Sequence, residues 1–552
     1  MYSFSLDNWI NRPNNYQVSE NEAYIIWCSG IVIVENRPCD LLSLAQRAHR
    51  DQLDYNTLAG NFKLVIYIKQ EQSYLFFGDN SGSQFLFMDD ENARFSDSLL
   101  ALRAQRGTTA QPNLNAVADL IEFDRIFGEK TLVAGIRKTC AEYYYRFCGG
   151  KFASFDKKLP SFSEMSPDIQ FDNVLAPILA SVQEAKICAV CTGGTDSRVI
   201  LSGLVAHNIS PKLLLTGHSD NPDIPIAQKI ADTLKLPLTL VPFHEQEANW
   251  LEKSFCFLDG GYDVVLGYRH LKKARFVNSE GYVAEFGGVG GEFYKNNFCL
   301  PFRNGHIRNK KKHLRRILCG NGNANRACFA DALRKAKQEN ADFFEDLIQK
   351  GSQEHSLLAA CNYVGLEMIK SSSGAITNGY ASVCCKVDPL VDRRLIGAVS
   401  HKHPWTLSMH LWQRKQIAKH CPKLSDIPTD QGYSCTVKPM LLTKERLKKL
   451  YFYAERIGAR VLRKFGLRYR DAAPHYWDID YKNAREDPLW AASVEYCKSV
   501  GILRSNVQDT EIPLAQTGIL LQIGMLFHEN FQNTYLKYNQ SFLNENNSGG
   551  LL

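Results

Sequence analysis

The segment Ile187–Leu204, ICAVCTGGTDSRVILSGL, constrains the fold of this chain more than any other stretch. Ile187 to Cys191 is a compact apolar run of the kind that forms a buried parallel strand. After a short polar turn, Val199, Ile200 and Leu204 recur at helical spacing. The segment therefore predicts a strand, a glycine turn and a helix, which is the building unit of an α/β domain.

The chemistry of that turn favours an anionic ligand. Gly193 and Gly194 have no Cβ, so their backbone N–H groups can approach a ligand closely. Thr192 and Ser197 add hydroxyl donors, and the start of the following helix attracts phosphate. Asp196 would repel a phosphate unless a divalent cation lay between them, so it is a candidate Mg²⁺ ligand. The alternative is an ordinary tight turn in which Asp196 only caps the helix.

Length and composition limit the class of protein. A chain of 552 residues is too long for one core and predicts two or three domains. The 65 Lys and Arg residues against 58 Asp and Glu give a mild net charge of +7, which is little reason to expect nucleic-acid binding. With no signal peptide and no apolar run long enough to span a bilayer, we expect no membrane association, reduced thiols and a cytoplasmic location. Cys188 and Cys191 form a CxxC, but alternation along a strand would turn them to opposite faces.

The chain continues with the same alternation of strand and helix. We predict a strand at Leu213–Thr216, a helix at Pro225–Leu234 and a strand at Leu238–Val241, which together imply a parallel sheet. A second glycine cluster, YVAEFGGVGGEFY, follows at Tyr282–Tyr294. Because neighbouring strand ends of a parallel sheet share one crevice, we expect its acid, Glu292, to join Asp196 on Mg²⁺. The alternative for the GGVGG run is a flexible loop.

The rest of the chain predicts a different fold on each side of this domain. Short apolar runs with turn punctuation from Glu22 to Phe87 predict the hairpins of an antiparallel sheet. We interpret Lys157–Ser181, which contains three prolines, as a polar connector. We therefore predict an N-terminal domain at residues 1–157, an α/β domain at 178–435 and a helical C-terminal extension at 436–552.

Several motifs resemble known families. CTGGTDSR resembles the SGGxDS loop of ATP pyrophosphatases, and Asn221–Ala231 resembles the "S-P-D-L-x-A-A-Q-x-V-A" segment of asparagine synthetases. The second glycine cluster resembles their "L-S-G-E-G-S-D-E", and Thr131–Lys138 resembles their "T-x-F-x-G-I". Weaker matches to their glutaminase domain are Gly60-Asn61-Phe62, Asp79-Asn80-Ser81-Gly82, Phe85–Phe87 and Phe95-Ser96-Asp97.

The resemblance implies a fold and a set of site residues. The fold would be an N-terminal antiparallel-sheet domain of the Ntn-hydrolase type, then a doubly wound parallel-sheet ATP pyrophosphatase domain with a helical C-terminal part. Asp196 and Glu292 would hold Mg²⁺, and backbone near Thr216 would recognise adenine. The implied ATP-binding residues are Cys191, Thr192, Gly193, Gly194, Thr195, Ser197, Arg198, Thr216, Gly287, Gly288, Gly290 and Gly291.

Departures from the family pattern bear on the chemistry. The family's glutaminase needs an N-terminal cysteine, and this chain begins Met1-Tyr2-Ser3, so we expect no glutamine hydrolysis. Val289 replaces the Glu of asparagine synthetases and the Tyr of β-lactam synthetases. Asp430 to Tyr433 occupy the place of a catalytic lysine, for which Lys415 is the candidate substitute and Lys419 an alternative.

The sequence thus predicts an ATP-dependent, AMP-forming amide ligase that uses ATP and Mg²⁺. Its substrates would be a small-molecule or peptide carboxylate and an amine, with a homodimer left open. One rival is an adenylating modifier of another substrate class, supported only by Lys310–Arg316. The basic run Arg303–Leu318 that contains these residues is more readily a solvated helix face or a lid. The other rival is a non-catalytic nucleotide-binding scaffold, supported by Val289 and the missing lysine.

Overall fold

The computed structural model describes residues 9–10, 16–182, 186–217, 219, 221–242, 246–261, 263–295, 309–319, 328–330, 333, 340–407, 410–438, 447 and 478–527. The strands are β1 (Trp9–Ile10), β2 (Tyr16–Glu20), β3 (Tyr24–Gly30), β4 (Ile33–Val34), β5 (Arg37–Pro38), β6 (Leu58–Ala59), β7 (Phe62–Ile68), β8 (Ser73–Gly78), β9 (Phe87–Asp89), β10 (Arg94–Ser96), β11 (Ile136–Lys138), β12 (Tyr143–Cys148), β13 (Lys151–Asp156), β14 (Ile187–Val190), β15 (Lys212–Thr216), β16 (Leu238–Val241), β17 (Ala284–Phe286) and β18 (Cys385–Val387).

The helices, numbered in the same way, alternate with these strands and then dominate the C-terminal part. They are α1 (Leu41–His49), α2 (Leu99–Arg106), α3 (Leu114–Phe123), α4 (Phe171–Val182), α5 (Asp196–Ala206), α6 (Ile224–Leu234), α7 (Trp250–Leu258), α8 (Val264–Ser279), α9 (Lys310–Cys319), α10 (Ala341–Gln353), α11 (Leu357–Tyr380), α12 (Arg393–Ser400), α13 (Pro404–Leu407), α14 (Leu411–His420), α15 (Asp478–Glu486), α16 (Pro488–Ser499) and α17 (Thr517–Phe527).

Two sheets pack face to face in the N-terminal part. The larger is fully antiparallel, with strand order β13-β12-β8-β7-β3-β2, and the smaller has the order β1-β10-β9-β11. Trp27 and Phe76 of the larger sheet share a buried cluster with Met88 and Phe95 of the smaller one. The rings of Phe76 and Phe95 stack with centroids 4.6 Å apart. The predicted antiparallel sheet is confirmed.

Helices cover both outer faces of this pair of sheets. Leu44 of α1 packs with Leu64 on the free face of the larger sheet. Leu99 of α2 and Val117 of α3 pack with Ile136 on the smaller one. A third sheet of short strands, β5-β4-β6, lies at one edge. The N-terminal part is therefore a four-layer stack of helix, sheet, sheet and helices.

A five-stranded parallel sheet organises the next part, with strand order β16-β15-β14-β17-β18. Helices cover both faces, because Ile187 and Ala189 lie in one core cluster with α4, α5 and α6, while Cys188 lies in another with α7 and α8. Cys191 belongs to the first cluster, so the two cysteines of the CxxC do face opposite sides as expected. The predicted mixture of an antiparallel sheet and a parallel α/β sheet is thus present.

The structure differs from the predicted connector at Lys157–Ser181. Its second half is helix α4, which contains Pro177 and buries Phe171, Leu175 and Ile178. A Cβ atom on Gly203 of α5 would lie 2.5 Å from a methyl group of Leu175, so the two helices approach closely. A helix forms here because the apolar residues recur at helical spacing, although the segment contains prolines.

The described part of the C-terminal extension is helical and packs on both preceding parts. Tyr481 Oη donates to Asp263 Oδ2 over 2.8 Å, and Arg103 Nε donates to the carbonyl of Leu526 over 3.0 Å. Met1–Ser3, Arg303–Arg308 and most of the segment between α14 and α15 lie outside the described residues. Helix α9 carries the rest of the basic run and buries Leu314. Within the ranges given above, no helix has the length and apolarity needed to cross a bilayer.

Buried polar contacts join the N-terminal stack to the parallel sheet. The carboxylate of Asp259, at the end of α7, accepts hydrogen bonds from Ser98 Oγ over 2.7 Å and from the backbone N–H of Leu99 over 2.6 Å at the start of α2. On the other side, the N–H of Asp388 donates to Asn61 Oδ1 over 2.8 Å. These contacts fix the end of β18 against the N-terminal stack.

Candidate functional site

The two glycine turns follow neighbouring strands of the parallel sheet. From β14 the chain adds β15 and β16 on one side, and then returns to place β17 on the other side of β14. Strands β14 and β17 pair in parallel, with Cys188 opposite Glu285. A reversal of strand order opens a crevice at the carboxyl ends of the two strands, which is where α/β sheets bind ligands. Both glycine turns lie at this crevice.

The first turn, Thr192–Thr195, leads directly into helix α5. Thr192 Oγ1 and Ser197 Oγ are 2.9 Å apart, and the N–H of Thr192 also donates to Ser197 Oγ over 3.2 Å. Among the described residues, a Cβ atom on Gly194 would meet only Thr192 Oγ1, at 3.6 Å. Space is therefore open beside Gly194, next to the amino end of a helix whose N–H groups favour an anion.

The second turn, Gly287–Gly291, is shaped by close backbone contacts with the segment after β18. Gly290 has a φ of +90°, and a Cβ atom there would lie 2.7 Å from the carbonyl oxygen of Leu390. The N–H of Gly287 donates to the carbonyl of Val387 over 2.8 Å. Both the dihedral angle and the lack of space require glycine at position 290. The GGVGG run is thus a packed turn that ends at Glu292.

Asp196 links the two turns. A Cβ atom on Gly291 would lie 2.1 Å from Asp196 Cγ, so the carboxylate fills the space beside this glycine. Lys295, one residue beyond the short 3₁₀ turn Gly291–Tyr294, forms an ion pair of 2.5 Å with Asp196 Oδ2. Gln413 of α14 donates from Nε2 to Asp196 Oδ1. Residues from two other segments therefore converge on the carboxylate of Asp196.

The pKa of Asp196 is raised to about 6. Burial is the main cause, because it penalises the charged form of the carboxyl group. The ammonium of Lys295 acts against the shift, and the negative charge of Glu292 adds to it. Glu292 is thus close enough to Asp196 for their charges to interact.

Several residues predicted to bind ATP lie in the core instead of facing the crevice. Cys191 is 1% exposed, and its N–H donates to the carbonyl of Leu214. Thr195 is buried and donates to Gln413 Oε1 over 2.9 Å. Arg198 is fully buried, and its guanidinium donates to the carbonyls of Gly193, Ile427 and Pro428 at 2.6–3.1 Å. These side chains hold the turn in place from the core. The groups that face the crevice are therefore backbone groups and hydroxyls of the turn.

The structure does not bring Lys415 to the turns. Lys415 is on the exposed side of α14 and lines a separate cavity, whereas Gln413 of the same helix faces Asp196. The segment Ile427–Cys435 does cover the first turn, since the N–H of Asp430 donates to the carbonyl of Gly193 over 3.1 Å. The cation that sequence reasoning missed is Lys295, which lies three positions after Glu292.

Thr216 lies at the end of β15, and its carbonyl accepts a hydrogen bond from Asn221 Nδ2 over 3.4 Å. Asp223 begins α6 beside the first turn, where a Cβ atom on Gly193 would lie 2.5 Å from its Oδ1. The pKa of Asp223 is raised, because it is partly buried and because Asp430 adds a second negative charge. The motif that sequence analysis aligned with asparagine synthetases therefore flanks the crevice.

A buried charge network lies directly beneath the second turn. Lys273 Nζ is 2.8 Å and Lys386 Nζ is 3.5 Å from Glu285 Oε1. The pKa of Glu285 is lowered although burial acts to raise it, because the two lysines stabilise its charge. Asp388 extends the network to the turn, since its Oδ1 accepts a hydrogen bond of 3.4 Å from the N–H of Val289. The hydrogen bond to Asp388 thus fixes the backbone of Val289 next to the buried charge network.

The donor set fits one kind of metal site. No group of three or more His, Cys, Asp or Glu side chains suited to a metal ion occurs among the described residues. A metal held by the protein alone is therefore not supported there. Mg²⁺ is commonly bound by one or two carboxylates together with phosphate oxygens and water. Asp196 and Glu292, beside open space at Gly194, fit a Mg²⁺ ion that is shared with a polyphosphate.

No protein-family model matches this chain, and no curated protein matches it either. The function proposed for this chain therefore rests on the geometry of the crevice.

Proposed function

We propose that this chain is an ATP-dependent, AMP-forming amide ligase that resembles the asparagine synthetases. The observation that carries the proposal is the meeting of two glycine turns at the strand-order reversal, with Asp196 and Glu292 in electrostatic contact. Such a crevice suits a pyrophosphate group, because it combines open backbone N–H groups with a helix amino end. An ordinary turn has no need for two mutually repelling carboxylates.

The proposed reaction has two steps. A substrate carboxylate attacks the α-phosphate of ATP, which forms an acyl-adenylate and releases pyrophosphate. An amine then attacks the acyl carbon, which forms the amide and releases AMP. The carboxylate and the amine belong to small molecules or peptides.

Each residue of the crevice has a role in the first step. The N–H groups around Gly194 and the hydroxyl of Thr192 bind phosphate oxygens. Asp196 and Glu292 hold Mg²⁺, which when bound neutralises the charge of the leaving pyrophosphate. Lys295 holds the Asp196 carboxylate in place and adds positive charge at the crevice. Lys295 thus takes over the role for which the sequence offered Lys415.

The N-terminal stack fits the same proposal. Its larger sheet is fully antiparallel, which fits the antiparallel-sheet domain that the resemblance to asparagine synthetases implies. Cys28 is 1% exposed and its pKa is raised above the usual range, mainly by burial, so it is no substitute nucleophile. We therefore propose that this domain is a scaffold and that the amine is ammonia or part of a substrate.

A nucleotide-binding scaffold is the second candidate. It is favoured by one observation: both oxygens of Asp196 already have partners, Lys295 and Gln413, so the carboxylate is satisfied without a metal. ATP–pyrophosphate exchange separates the candidates. An enzyme incorporates labelled pyrophosphate into ATP when one member of a carboxylate panel is present, whereas a scaffold binds ATP without exchange.

A further inference from the structure

A second cavity, of about 370 Å³, lies on the side of α14 opposite the glycine turns. The buried rings of Phe171 and Trp412 form its apolar part. Lys402, His403 and Lys415 line its exposed part. This cavity includes the lysine that sequence analysis assigned to catalysis, and the proposed ligase reaction makes no use of it.

The charge of this cavity is unbalanced. None of the described residues that line it is acidic, and neither Lys402 nor Lys415 forms an ion pair with another described residue. Two acids flank the lining residues Ile169–Phe171 in sequence. Asp168 is exposed and does not line the cavity, and Asp172 is bound by Lys419 at 2.6 Å and by His420 at 2.7 Å. Two ammonium groups next to a pair of aromatic rings are thus left for an external anion.

We propose that this cavity binds a small phosphate monoester with a planar group. The phosphoryl group carries a charge of about −1.5 to −2 at neutral pH, which matches two ammonium groups better than a single carboxylate does. Lysine binds phosphate as a point charge. The planar group lies against the apolar wall that Phe171 and Trp412 form, because ligand pockets are commonly lined by aromatic side chains.

The cavity is distinct from the crevice but shares helix α14 with it. Gln413 points from this helix to Asp196, while Lys415 lies on the exposed side. Trp412, which lines the cavity, stacks on Tyr294 just beyond Glu292, with ring centroids 4.2 Å apart. The proposal goes beyond the ligase function and does not depend on it.

Isothermal titration calorimetry of the full chain with phenyl phosphate tests the proposal. We expect binding to the wild type, and about tenfold weaker binding to each of Lys402→Ala and Lys415→Ala, a loss equivalent to about 1.4 kcal/mol. Lys423→Ala removes an exposed lysine just after α14 that does not line the cavity, and it should bind as the wild type does. Gly194→Val, which blocks the first glycine turn, should also leave binding unchanged.

Four results would overturn the proposal. The wild type could fail to bind phenyl phosphate, or all three lysine variants could bind it equally. Loss of binding in Gly194→Val would place the phosphate in the crevice. Inorganic phosphate is measured in parallel: weaker binding than that of phenyl phosphate supports the planar group, and equal binding contradicts it. None of these binding measurements requires ligase activity, so each can still be interpreted if the chain shows no ATP–pyrophosphate exchange.

Discussion

The carboxylate of Asp196 fills the space that a side chain at Gly291 would need. A Cβ atom on Gly291 would lie 2.1 Å from Cγ of Asp196 and 2.2 Å from its Oδ1. This contact joins turns that follow two different strands, so it sets the distance between them. Glycine at position 291 is therefore a requirement of the crevice.

Gly291→Ala should displace Asp196 and lower pyrophosphate release by about a hundredfold, the loss that a misplacement of about 1 Å can cause. The control is Gly261→Ala, where the nearest atom to a new Cβ is the Leu258 carbonyl oxygen at 3.3 Å. Release is measured with Mg²⁺ and ATP after circular dichroism shows that both variants fold. If Gly291→Ala released pyrophosphate as fast as the wild type, the close contact between Gly291 and Asp196 would not be required for the reaction.

Gly194→Val should abolish ATP binding and keep the fold. Thr192 Oγ1 is the only atom of the described residues within 4 Å of the added Cβ. The new side chain therefore enters open space and blocks the N–H groups from phosphate. Ala206→Val, at the exposed last position of the same helix, is the matched control. Equal affinity of both variants for ATP, measured by calorimetry, would show that nucleotide binds elsewhere.

Lys295→Ala should reduce pyrophosphate release by about a hundredfold, the order seen when one preorganised charge-stabilising group is lost. Removing the ammonium also takes away the ion pair that holds Asp196 Oδ2. Lys423→Ala is the control for loss of a positive charge. If Lys295→Ala turned over as fast as this control, Lys295 would have no part in the reaction.

Asp263 should make stability depend on pH. Burial raises the pKa of this carboxyl from 3.8 to about 6 in the folded chain. The folded state therefore keeps its proton to higher pH, and the free energy of unfolding falls as pH rises from about 4 to about 6, by roughly 3 kcal/mol. Above about pH 6 the Asp263 carboxyl is ionised in both the folded and the unfolded chain, so it causes no further loss of stability.

Asp263→Asn cannot ionise, but its side-chain oxygen can still accept from the N–H groups of Val265 and Leu266 at the start of α8. Denaturant unfolding is measured at pH 4 and pH 7. We expect the wild type to lose stability between these two pH values, and the variant to lose about 3 kcal/mol less. The same pH dependence in both chains would show that Asp263 does not titrate in this range.

The sequence predicted the parts of the site that depend on local pattern. The strand Leu238–Val241 appears with the predicted bounds, and the two glycine turns follow the neighbouring parallel strands β14 and β17. Both predictions need only apolar runs, glycine turns and the direction of the strands.

The parts that depend on distant packing were not predictable. Whether Gln413 or Lys415 faces the crevice depends on the rotation of α14, and its mixed sequence LWQRKQIAKH has no clear apolar side to fix that rotation. The pairing of Lys273 with Glu285 places charges where a buried strand predicts apolar residues. Tertiary contacts set both features.

The most direct test of the central claim is a double-mutant cycle on Asp196 and Glu292. If both act through one shared Mg²⁺ ion, Asp196→Asn and Glu292→Gln should each lower pyrophosphate release by about a hundredfold or more. The double variant should then be little worse than either single one, because residues that act as a unit are not additive. Independent, multiplicative losses would refute the shared metal, and normal release in both single variants would contradict catalysis at this crevice.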